Sequence, residues 1–129
     1  MADIPRGNRP LSPHLTVYRL PMAAITSILT RATGQIMLAG LLLIVWWLVA
    51  AVAGPRAFAQ ADWVLRSWLG YLVLLGSVWA LWYHFLAGIR HFFYDAGLLL
   101  TREDARQASW FIVAGSVVLT LLTVILFVF

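Results

Sequence analysis

Three stretches of this chain carry no Asp, Glu, Lys or Arg over a length that can cross a lipid bilayer. They are residues 32–55, 67–89 and 107–129. About 20 apolar residues suffice to cross the hydrocarbon, and a bilayer forces the backbone of such a segment to pair within itself, as a helix. The sequence therefore predicts an all-α integral membrane bundle of three transmembrane helices. The predicted spans are about 27–53, 67–89 and 110–129.

Composition supports a membrane protein and excludes other classes. Hydrophobic residues make up 63% and charged residues 11%, against about 45–50% and about 25% in soluble domains. A soluble domain this short would bury only part of that apolar surface. The net charge of +4 does not indicate a nucleic-acid partner, because the arginines are dispersed over termini and loops. Without cysteine, the chain has no covalent c-type haem attachment and no thiolate metal site.

The first 24 residues are predicted to form an irregular Pro-rich N-terminal arm. Four of the five prolines fall there, and each restricts its own backbone and that of the preceding residue. The whole chain, 1–129, is predicted to be one membrane-anchor domain.

The arginines also predict orientation, because short cytoplasmic loops are enriched in positive charge. The N-terminal arm with the start of span one, together with the second connection, holds Arg6, Arg9, Arg19, Arg31, Arg90, Arg102 and Arg106. The first connection holds Arg56 and Arg66. We expect the N-terminus in the cytoplasm, or in the matrix of a mitochondrion.

The start of span one carries a hydroxyl and a guanidinium on one helix face. Ser27 and Arg31 are four residues apart, so they are neighbours on a helix. Together they offer hydrogen-bond donors suited to a carbonyl oxygen or a carboxylate. A structural alternative remains open, in which Ser27 caps the helix and Arg31 extends to lipid headgroups.

The end of span two carries a second polar cluster. His84, Gly88, His91 and Asp95 follow one stripe of a helix. His84 lies six residues inside Arg90, about 9 Å along the axis, and a neutral imidazole at that depth is a good iron ligand. A histidine bonded to a neighbouring helix is the alternative. The alternative for His91 is a solvated residue at the membrane boundary. The alternative for Asp95 is a residue that ends the helix.

The histidine count bears on assembly. The chain has His14 in the arm, and His84 and His91 on one helix. A b-type haem with two axial histidines needs them on opposing helices at matching depth. The second ligand would therefore come from another chain.

These residues resemble the large cytochrome b anchor subunit of succinate dehydrogenase. The matching positions are Arg9, Pro10, Leu11, Ser12, Pro13, His14, Leu15, Ser27, Ile28, Leu29, Arg31, Gly34, His84, Gly88, Ile89, Arg90, His91 and Asp95. With the length and the three spans, the resemblance extends over nearly the whole chain. The family commonly has a histidine before the motif arginine, where this chain has Thr30.

The resemblance implies roles for particular residues. His84 would be an axial ligand of haem b, with Arg31 near a haem propionate and His91 in the haem surroundings. Ser27 and Arg31 would contribute to a ubiquinone site, with Asp95 nearby.

The resemblance also implies partners, which are a second small three-span anchor, an iron–sulfur subunit, a flavoprotein and membrane lipid. A bacterial inner membrane is expected, ahead of the mitochondrial inner membrane. A haem-free scaffold that docks a soluble enzyme is the alternative function. A pore subunit is disfavoured, because span three has only Ser116, Thr120 and Thr123 as polar residues and no charge.

Overall fold

The computed structural model describes Gly7 and residues 10–128, apart from the side chain of Val128. The regular structure of this part is helical: α1 (Met22–Ala53), α2 (Pro55–Leu65), α3 (Trp68–Asp95) and α4 (Arg102–Val128). Helices α1, α3 and α4 are long and apolar enough to cross a membrane. The predicted all-α fold with three membrane-crossing helices is confirmed.

Helix α1 begins earlier than the predicted span. Pro21 precedes its first turn in an extended conformation and provides no side-chain cap. Because α1 begins at Met22, residues 22–24 are helical and not part of the irregular arm that was expected there. Before it, residues 10–21 form one turn, in which the N–H groups of Val17 and Tyr18 donate to the His14 carbonyl at 3.0 and 2.8 Å. Residues 1–6, 8 and 9 of the predicted arm lie outside the described residues.

The first connection contains a helix that the sequence did not predict. Gly54, with φ of +120°, ends α1 and turns the chain, and Pro55 opens the 11-residue α2. Proline is well suited to a first helical position, because its missing N–H would be unpaired there in any case. Trp47 of α1 packs against Phe58 of α2, with ring centroids 5.7 Å apart, so α2 lies against the end of α1.

Helix α3 extends beyond the predicted second span. The Ser67 side chain caps it by accepting from the Gly70 N–H at 3.1 Å. The helix continues through Arg90 and ends at Asp95, and Gly97, two residues later, adopts a left-handed φ of +76°. His84, Gly88, His91 and Asp95 therefore lie on one continuous helix.

Helices α1 and α3 each contact the other three helices. The core consists of Tyr83, Leu86, Ala87 and Ile112. A Cβ built on Gly115 of α4 would lie 3.0 Å from Leu86 Cδ1, so α3 and α4 approach closely there, and a larger residue would require Leu86 to shift. Large apolar side chains such as Leu48, Val52 and Leu126 are exposed, which suits a lipid-facing surface.

Candidate functional site

The imidazole of His84 lies between α3 and α1. Its Nδ1 is 3.1 Å from the Thr30 carbonyl oxygen and 3.3 Å from Thr33 Oγ1. The carbonyl can only accept, so Nδ1 carries the proton in this contact, and Nε2 is left with its lone pair. Nε2 forms no hydrogen bond within the described residues, and it is not one of their fully buried unpaired atoms. The side chain thus has a structural contact on one nitrogen and an open ligand position on the other.

Two glycines surround this imidazole. A Cβ built on Gly34 of α1 would lie 3.3 Å from His84 Cε1, so a side chain there would require the ring to shift by a few tenths of an ångström. Gly88 lies one turn after His84 on α3, and a Cβ built on it meets no atom within 4 Å. The surface of α3 beside His84 is therefore open toward the outside of the bundle.

Three threonines of α1 face α3: Thr30 and Thr33 contact His84, and Thr26 contacts Tyr83 and Arg90. Thr26 and Thr33 are fully buried, and Thr30 is half-buried. Each hydroxyl donates to a carbonyl three or four residues earlier on α1, a bond that is common for buried Thr in helices. The sequence marks only Thr30, through the departure from the family's histidine, although the i, i+4, i+7 spacing of the three threonines places them on one face.

Tyr83 is a second residue that the sequence analysis did not select. It is fully buried, and its hydroxyl donates to the Thr26 carbonyl at 3.0 Å. Tyr83 and His84 therefore bond to consecutive turns of α1. These two bonds fix the register between α1 and α3 at the position of the candidate ligand.

Arg90 has a different position from the one that the sequence indicates. It was interpreted as the charged boundary of span two, yet it is 5% exposed. Its Nη1 donates to Thr26 Oγ1 at 2.9 Å and to Ser109 Oγ at 3.1 Å. Helices α1, α3 and α4 thus meet at one buried guanidinium, and we call Thr26, Arg90 and Ser109 the three-helix junction.

The structure keeps Ser27 and Arg31 on α1, one turn apart. Ser27 lies inside the helix, because α1 already begins at Met22, so the alternative in which Ser27 caps the helix is wrong. Its side chain is half-buried and that of Arg31 is exposed. Neither side chain forms a hydrogen bond or ion pair within the described residues. Both donors remain available to an external acceptor.

His91 and Asp95 are exposed at the end of α3. The His91 ring packs edge-on against Tyr94, with centroids 6.1 Å apart, and Asp95 is the last residue of the helix. No hydrogen bond or ion pair among the described residues joins either side chain to Ser27 or Arg31. The fold thus brings His84 to α1 but leaves His91 and Asp95 at the periphery.

These features define an all-α integral membrane protein whose polar side chains from α1, α3 and α4 converge at one end of the bundle. A family model described as the succinate dehydrogenase/fumarate reductase transmembrane subunit matches residues 5–123. The chain belongs to this family, and the resemblance found in its sequence is confirmed.

Similar proteins cover nearly the whole chain. The succinate dehydrogenase cytochrome b556 subunit of Paracoccus denitrificans is 67% identical over 127 residues, 98% of each chain. The protein of that name from Rickettsia conorii is 33% identical over 116 residues, 90% of each chain. The succinate dehydrogenase cytochrome b560 subunit of Reclinomonas americana is 30% identical over 125 residues, 93% of this chain and 87% of its own.

Proposed function

We propose that this chain is the membrane anchor of a succinate:quinone oxidoreductase, which binds a b-type haem jointly with a second anchor subunit and forms part of the ubiquinone-reduction site. The observation that carries the proposal is the contact of His84 Nδ1 with the Thr30 carbonyl. Histidines that ligate metals commonly donate their second N–H to such an acceptor, which orients the ring and raises the basicity of the ligating nitrogen. The cytochrome names of the relatives agree with this role.

The residues around His84 fit a haem. Nε2 is free to ligate iron, and the open surface at Gly88 leaves room for a flat macrocycle beside the helix. With no cysteine in the chain, attachment would be through the axial nitrogen alone. A haem bound here supplies one-electron exchange. His84 would hold the iron, and Arg31, whose guanidinium is exposed and unpaired within the described residues, would offer donors to a propionate.

A second anchor subunit completes this site. His14 is exposed in the arm, where its Nδ1 lies 2.7 Å from Thr16 Oγ1, and His91 is exposed on the same helix as His84. Two histidines of one helix cannot face each other across a bound macrocycle, and His14 lies in the arm before α1 rather than on an opposing helix. The other axial nitrogen therefore belongs to a partner chain, the second small three-span anchor.

The quinone role rests on Ser27 and Arg31. Electrons from succinate, oxidised at a flavoprotein, would arrive through an iron–sulfur subunit docked at this end of the bundle. Ser27 and Arg31 would hold a ubiquinone carbonyl and stabilise the negative charge that develops on its oxygen during reduction. His91 and Asp95 form polar surroundings. In this proposal the chain does not act on succinate, and its part in the enzyme is that of a subunit without a catalytic centre of its own.

The proposed location is the bacterial inner membrane, with the N-terminus in the cytoplasm. The three-helix junction and the Ser27–Arg31 pair would lie at the cytoplasmic end, where the predicted excess of arginines falls. A soluble iron–sulfur subunit in the cytoplasm would then reach them directly.

An optical spectrum of the purified complex tests the haem assignment. A reduced-minus-oxidised spectrum should show a b-type band that His84→Leu abolishes or shifts. Phe85→Leu is the matched control, because Phe85 is adjacent and exposed and its change should leave the band unaltered. An unaltered band in His84→Leu would remove this chain from the haem. A complex without any b-type band would favour the haem-free scaffold.

A further inference from the structure

The three-helix junction buries a positive charge that no carboxylate in the described chain neutralises. The ion pairs among the described residues are Arg66–Asp62 and Arg106–Glu103, and neither includes Arg90. Asp104 accepts from Thr101 at 2.6 Å, and Asp95 is exposed. An isolated buried cation is costly, and buried charges are normally paired.

The guanidinium of Arg90 is satisfied on one side only. Nη1 is held by the hydroxyls of Thr26 and Ser109, and the group lies near the Tyr94 ring, with Cζ 5.6 Å from the centroid. Nε is fully buried and has no hydrogen-bond partner. Nη2 also makes no hydrogen bond within the described residues, but it is not among the fully buried unpaired atoms. It can therefore be reached from outside the bundle.

Of the two unpaired nitrogens, only Nη2 is open to a ligand from outside, because Nε is fully buried. A guanidinium N–H donates a charge-assisted hydrogen bond to a carboxylate. The two hydroxyl contacts on Nη1 hold the group in place before any ligand arrives. A held cation with an accessible, unpaired Nη2 is a site for an anionic oxygen ligand.

We propose that Arg90 binds a carboxylate supplied from outside this chain. Either of two groups can supply this carboxylate: an acidic side chain of a neighbouring subunit or a propionate of a bound haem. The proposal rests on the proposed function for the existence of those neighbours, but not on the role of His84. Asp3 is the one acidic residue of this chain outside the described residues, and it must be tested as an internal source.

The test compares Arg90→Gln and wild-type complexes reconstituted with protoheme or with its dimethyl ester, in which both propionates are uncharged. Two quantities are measured, the rate of haem loss and the concentration at which the subunits dissociate in detergent. Arg106→Gln, an exposed arginine of α4, is the control, and Asp3→Asn tests the internal source. A charged hydrogen bond corresponds to about a tenfold change or more in affinity.

The two sources give different results. If a propionate is the ligand, Arg90→Gln accelerates loss of protoheme about tenfold or more, and the variant and wild type lose the ester at the same rate. If a partner side chain is the ligand, Arg90→Gln weakens subunit association about tenfold or more, and the effect of esterification is equal in both proteins. Arg90→Lys should show a smaller loss of the same kind, because lysine keeps the charge without the planar guanidinium.

Several results would overturn the proposal. Haem loss and subunit association within twofold of wild type in Arg90→Gln would show that no carboxylate depends on Arg90. If that variant does not assemble, unchanged values in Arg90→Lys would lead to the same conclusion. A loss in Asp3→Asn equal to that in Arg90→Gln would place the carboxylate in this chain. A complex without haem would contradict the haem half of the proposed function, while subunit association still tests Arg90.

Discussion

Replacement of Gly88 by alanine distinguishes the space that the folded chain requires from the space that a bound haem requires. A Cβ at this position meets no atom of the chain within 4 Å, and alanine is favoured over glycine in a helix by about 1 kcal/mol. The subunit itself should therefore fold at least as well as wild type. If a macrocycle lies against the bare helix, the new methyl group pushes it away by roughly the 1.5 Å of a carbon–carbon bond.

The expected cost falls on haem binding alone. Overpacking of a close contact costs about 1–3 kcal/mol, which corresponds to roughly a fivefold to more than hundredfold loss of haem affinity. Haem content per purified complex and the rate of haem loss measure it. Gly76→Ala is the matched control, since Gly76 is on the same helix and also has nothing within 4 Å of its built Cβ. Full haem content and an unchanged spectrum in Gly88→Ala would refute the placement of the macrocycle.

Three further changes test other parts of the site. Arg31→Leu should lower quinone reduction by about tenfold or more, as expected for loss of a charged donor, while electron transfer from succinate to a soluble dye is retained. Equal loss of both activities, or the same effect from the control Arg66→Leu, would contradict the assignment. Tyr83→Phe removes a hydroxyl that donates to the Thr26 carbonyl at 3.0 Å and should destabilise the subunit by about 1 kcal/mol, seen as a lower midpoint in thermal unfolding; an unchanged midpoint would show that the bond contributes nothing. Ser67→Ala removes the cap of α3 at a cost of about 1 kcal/mol without altering the haem spectrum, and a changed spectrum would show that the two ends of α3 are coupled.

The surface of the bundle was less predictable than its spans. Gly54-Pro55 is a strong stop signal for α1, and the same proline is also a favourable first residue of α2. The sequence around Gly54 and Pro55 does not decide between a loop and a new helix. A helix of 11 residues is stable only when one of its faces is packed, and that packing depends on distant residues. The contact of Phe58 with Trp47 provides that packing.

Three features could be predicted from the sequence alone. They are the three apolar helices, the family, and the helical stripe that holds His84, Gly88, His91 and Asp95. Those features follow from local properties, since the length of an apolar run and the helical repeat depend only on neighbouring residues. The stripe also predicts that these side chains share a face, whatever lies opposite.

The tertiary structure alone decided what lies opposite each of those residues. Arg90 reads in the sequence as a boundary charge, but the packing of α1 and α4 against α3 buries it against Thr26 and Ser109. The carbonyl of Thr30 orients His84, and a backbone acceptor on a distant helix leaves no mark in the sequence around the histidine. Contacts between helices depend on their register and crossing, which are set by side-chain packing across the bundle rather than by the pattern along any one helix.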